Sequence, residues 1–77
     1  DIRTFVKQQR AAAGLTQQLL AQKAGVGIRF VRELEQGKQT LRMDTVNQVL
    51  SLFGYELGVA PIPRDALDNA SSEEARL

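Results

Sequence analysis

The sequence predicts an all-α domain of four helices that ends in one short β-strand, and three observations carry that prediction. Apolar residues recur at helical spacing along most of the chain. Gly14, Gly25, Gly37 and Gly54 interrupt the rhythm where helices would end. Residues 15–38, LTQQLLAQKAGVGIRFVRELEQGK, set two of the helices on either side of a three-residue turn, which is the helix-turn-helix arrangement.

The first helix has Asp1 as its cap, Ile2, Phe5, Val6, Gln9 and Ala13 at helical spacing, and Gly14 at its end. The second runs from about Gln17 to Ala24: the Thr16 hydroxyl suits an N-cap, and Leu20, Ala21 and Ala24 share one face. Gly25 stands where the chain needs a left-handed residue, and Val26 can tuck into the corner behind it. Ala21 is small, as a steep crossing of two helices requires. In the third helix Val31 and Leu34 face inward with Phe30 beside them, and Gly37 closes it after roughly nine residues. Met43, Val46, Val49, Leu50 and Phe53 stripe a fourth helix of about eleven residues, stopped by Gly54. The expected core is Leu15, Leu20, Val31, Leu34, Leu41, Val46, Leu50 and Phe53.

Tyr55, Leu57 and Val59 then alternate with Glu56, Gly58 and Ala60 ahead of Pro61, the period of a strand with one apolar face. Nothing else in the chain reads as a strand. A lone strand leaves its backbone unpaired, so either it pairs antiparallel with the same strand of a second copy, making a homodimer, or it lies as an extended tail on its own helices. Residues 1–60 thus form the folded and dimerising domain. Residues 61–77, PIPRDALDNASSEEARL, form a polar acidic tail, with short-helix signals at about Arg64 to Asn69 and after Ser72.

Composition narrows the function classes. The 77 residues contain no histidine and no cysteine, which removes imidazole bases, thiol nucleophiles and most metal sites. No enzyme activity, metal or cofactor is expected. A core this small without disulfides also invites support from a second subunit. No apolar run approaches the roughly 20 residues that span a bilayer, and no secretory signal is evident, so a cytoplasmic, nucleoid-associated protein is expected. The net charge of +1 is unevenly spread: residues 1–55 carry eight basic against four acidic side chains, and residues 56–77 carry two against five. The positive balance lies with the helix-turn-helix, as contact with a polyanion would require.

Gln17, Ala21, Gly25, Val31 and Leu34, with the closing Glu35-Gln36-Gly37-Lys38, resemble the lambda-repressor-like (Xre) helix-turn-helix family. The run RFVRELEQGKQTLRMDTVNQVLSLFGYEL is similar to its HipB-type antitoxin branch, in which a short strand follows the fourth helix and pairs across a dimer. The resemblance implies a DNA-binding dimer that represses its own operon at a palindromic operator and binds a HipA-type kinase toxin. It also implies that Glu35 pairs with Arg10 of the first helix as a structural contact. Two alternatives stay open: a stand-alone phage-like or metabolic repressor without a toxin, and a protein-interaction adaptor that has lost DNA binding. Three residues depart from the family pattern. Leu19 and Phe30 are apolar where polar or smaller groups are usual, and Gly27 replaces a Ser or Thr cap.

With Val31 and Leu34 inward, Arg29, Arg32, Glu33 and Gln36 point outward and Ile28 lies on the flank. The expected base contacts are Ile28, Arg29, Arg32 and Glu33: Arg29 suits the O6 and N7 of a guanine, Ile28 a thymine methyl, and Glu33 a cytosine N4. Alternatively Glu33 pairs with Arg29 one turn back and fixes its aim, and this pairing is the preferred reading. Gln17, Gln36 and Lys38 are the expected phosphate contacts, which position the protein without specifying sequence.

Overall fold

The computed structural model describes residues 1–63, and the expected short helices of the tail lie outside them. Four helices occur: α1 Ile2–Ala12, α2 Gln17–Ala24, α3 Ile28–Gln36 and α4 Met43–Leu52. Each boundary has a local cause. The Asp1 carboxylate accepts the Thr4 N–H at 2.9 Å and starts α1, and the Thr16 hydroxyl accepts the Leu19 N–H at 3.1 Å and starts α2. Gly25, at φ +73°, ends α2, and the Val26 N–H turns back onto the Ala21 carbonyl at 3.0 Å. Gly37 ends α3 in the same way at φ +87°, with the Lys38 N–H on the Glu33 carbonyl at 3.0 Å. The N-terminus of α3 has Gly27 as its cap residue and no side-chain cap bond.

The core gathers one face from each helix. Val6, Leu20, Ala21, Val31, Leu34, Val46, Val49 and Leu50 are buried. Leu15, Leu41 and Phe53, expected in that core, pack on its edge instead, while Val6 and Val49 sit at its centre. Helix α3 packs against α1 and α2, and α2 also against α4. The sharp α2–α3 turn therefore leaves the outer face of α3 uncovered.

No strand forms among the described residues: those from Tyr55 onward carry no regular secondary structure. Among the described residues the segment has no other strand to pair with. It is pinned to the helices instead, with the Asn47 side-chain oxygen accepting the Leu57 N–H at 2.7 Å. The Leu57 side chain is half-buried against the core. Tyr55 sets its ring edge-on to Phe5, centroids 4.7 Å apart at 77°, yet stays 53% exposed. Val59 is fully exposed. The alternation therefore delivers one anchored residue, Leu57, between two that remain open.

Candidate nucleic-acid interface

The inner face of α3 is fixed by two kinds of contact. Val31 and Leu34 are buried, and so is Glu35, at 2% exposure the one charged residue buried among those described. Burial by itself pushes the Glu35 carboxyl toward a higher pKa. The hydrogen bonds from Arg10 and Gln17, and the Arg10 charge, outweigh that and hold it below its ordinary value. Arg10 grips Glu35 with two parallel bonds, Nε to Oε2 at 2.7 Å and Nη2 to Oε1 at 2.9 Å, and donates a third from Nη1 to the Leu15 carbonyl at 3.0 Å. The Gln17 amide adds a bond to Glu35 Oε1 at 3.2 Å. Among the described residues, no buried side-chain polar atom lacks a partner. One carboxylate thus ties α1, α2 and α3 together.

The outer face follows from the same helix. At about 100° per residue, Arg29, Glu33 and Gln36 point away from the core direction set by Val31, Leu34 and Glu35, with Arg32 toward one flank. The Arg29 side chain is 92% exposed, and Arg32 and Gln36 are exposed beside it. Ile28 sits at the flank, half-buried against the core, and reaches the outer face only by its rim. Phe30 likewise packs against the core, which accounts for its apolar character, whereas Leu19 on α2 is 43% exposed.

Glu33 is bonded on both of its oxygens. Arg29 Nε donates to Oε1 at 3.0 Å, and Lys38 Nζ donates to Oε2 at 2.6 Å. The bond from Lys38 outweighs the opposing effect of desolvation and, with help from Arg29, holds the Glu33 carboxyl below its ordinary range. The sequence spacing finds the first pair, because the two residues are four apart on a helix. It misses the second. Lys38 lies beyond the helix end, and the turn at Gly37 brings it back over the last turn of α3.

Gln17 also departs from the simplest expectation. Its side chain is half-buried on Glu35, so it braces α3 from the start of α2. Among the described residues, Lys7, Lys23 and Arg32 join no ion pair, whereas Arg3 and Arg42 pair with Asp1 and Asp44. No group of three or more potential metal ligands occurs in that stretch, and no helix there is long and apolar enough to cross a membrane.

A helix-turn-helix family model, HTH_3, matches residues 6–59, from within α1 to the exposed Val59. The uncharacterized HTH-type transcriptional regulator y4mF of Sinorhizobium fredii is 41% identical over 59 residues, which make up 77% of this chain and 78% of that protein.

Proposed function

The chain belongs to the helix-turn-helix family HTH_3, and from that premise we propose that it is a dimeric transcriptional autorepressor that binds a palindromic operator and acts as antitoxin to a HipA-type kinase. The observation that carries the DNA-binding part is the outer face of α3, where Arg29, Arg32 and Gln36 stand exposed while Val31, Leu34 and Glu35 fasten the opposite face. A helix held this way enters the major groove as a rigid body. Arg29 reads a guanine, with Arg32 and the rim of Ile28 beside it. Gln36, Lys38 and the start of α2 at Gln17 lie against phosphates. Lys38 keeps two N–H groups for that purpose after its bond to Glu33.

The dimer rests on the segment after α4. Asn47 takes the Leu57 N–H. In an extended chain, successive backbone groups point to opposite sides, so the edge left for a second copy is the one carrying the N–H groups of Glu56 and Gly58. The exposed side chains of Tyr55, Val59 and Ile62 give that edge apolar surface to bury. The toxin partner rests on the likeness of residues 29–57 to HipB-type chains.

The experiment is fluorescence-anisotropy titration of the purified chain on a duplex from directly upstream of its own gene, against a scrambled duplex at matched salt. Selective binding by two subunits supports the repressor. Equal binding to both duplexes rejects autorepression from this site, and no binding to either favours the adaptor. Co-purification with a kinase encoded beside it supports the antitoxin role, and a selective dimer with no such neighbour is the stand-alone repressor.

A further inference from the structure

We propose that Glu33 sets the sequence discrimination of this chain as a positioning residue acting through Arg29, and does not itself read a base. The inference rests on α3 being the DNA-reading helix. Its basis is which atoms are taken and which are left. Arg29 is held through Nε, so the two terminal nitrogens of the guanidinium stay free, and these form the fork that matches the O6 and N7 of a guanine. Glu33 is in turn held from behind, because Lys38 Nζ occupies its other oxygen at 2.6 Å. The row Lys38–Glu33–Arg29 therefore runs from the turn after α3 back toward its first turn, one carboxylate oxygen to each cation. Each oxygen is already engaged by a cation, so a cytosine amine would have to share its acceptor with Arg29 or Lys38.

The row has a consequence for discrimination. A long, 92% exposed arginine would otherwise sample many rotamers, all able to reach some phosphate but few able to meet a base edge end-on. An exposed pair of this kind contributes little to stability in water. Docking removes water from around it, and the same contact then aims the side chain more firmly. The Glu33 charge also repels phosphates in any duplex, cognate or not, which lowers both affinities and cancels in their ratio.

The test measures the affinity of the purified chain for its upstream duplex and for a scrambled duplex, in wild type, Glu33→Ala, Glu33→Gln, Arg29→Ala and the Arg29→Ala/Glu33→Ala double variant, with thermal melts to confirm folding. Glu33→Ala should lower the ratio of cognate to scrambled affinity by about tenfold, within the range that one bidentate base contact supplies. Loss of the charge should strengthen binding to both duplexes alike, a change that cancels in the ratio. Glu33→Gln keeps an oxygen for Arg29 Nε and should fall between. In the Arg29→Ala background, removing Glu33 should leave the ratio unchanged within about twofold, since the residue it aims is gone. A full tenfold loss persisting in that background would mean that Glu33 meets the DNA directly, and the inference fails. A wild-type chain that does not discriminate at all overturns the DNA-reading proposal itself, and this inference with it.

Discussion

Arg29 and Glu35 occupy the same helix and do opposite work, and the difference lies in what surrounds them. Arg29 projects into solvent, held only through Nε by Glu33. Its replacement by Ala should leave the fold intact and cost about 1–3 kcal/mol on the cognate duplex, with little change on random DNA. Parallel titrations of the two duplexes check this, and equal losses would demote Arg29 to a phosphate contact. Glu35 is buried and carries the Arg10 and Gln17 bonds. Glu35→Gln should cost about 2–3 kcal/mol at pH 7, because Arg10 loses its counter-charge but remains 24% exposed and partly hydrated. The folded Glu35 carboxyl lies below its ordinary 4.5. Its contribution to stability is therefore complete above about pH 4.5 and drains away as pH falls through the folded value. Urea unfolding of wild type and variant should give stabilities that differ at pH 7 and converge as the solution is acidified. A gap of constant size would show that the charge of Glu35 contributes nothing.

At the scale of elements, the turn between α2 and α3 decides how the outer face is presented. Gly25 adopts φ +73°, and a Cβ there would meet only the Gln48 amide nitrogen at 3.9 Å, an ordinary contact. Gly25→Ala thus isolates the backbone cost of the left-handed conformation, about 1 kcal/mol, and should lower the melting temperature by about 4–8 °C. A shift near zero would mean that the turn relaxes to another shape. This turn was legible in the sequence, as were all four helices, because glycine position and apolar spacing are local signals. The α2 and α3 boundaries agree with the expected ones, and α4 stops at Leu52, just before the expected Phe53. What the sequence did not reveal depends on long-range meetings: Asn47 with the backbone of Leu57, Gln17 with Glu35, and Lys38 with Glu33. None of these has a periodic signature. The Arg10–Glu35 pair lies 25 residues apart and was expected only through family likeness. The strand was read from a true alternation, but a strand also needs a neighbour, and no sequence window supplies one.

Across the whole molecule, the proposed second copy is the natural neighbour for residues 55–60, and the fold shows which substitution can test it. Leu57 packs on its own core, so Leu57→Asp would damage the single chain as well as any pairing. Val59 is fully exposed, so Val59→Asp should leave the melt of the isolated subunit unchanged while lowering the sedimentation mass and operator affinity if the segment pairs across a dimer. An unaltered mass at low concentration would reject that arrangement. The tie among Arg10, Glu35 and Gln17 has a consequence at this scale too. Apolar contacts are tolerant of roll: α3 could rotate about its axis by a fraction of a turn and keep Val31 and Leu34 largely covered. A bidentate ion pair is not tolerant, since a small rotation breaks two directed bonds. The joint therefore works as an angular index, setting the azimuth at which Arg29 and Arg32 face outward. Two copies would then present their reading faces at one fixed mutual angle, so a change of half-site phase could not be absorbed by twisting the helices and would have to be met by bending the DNA.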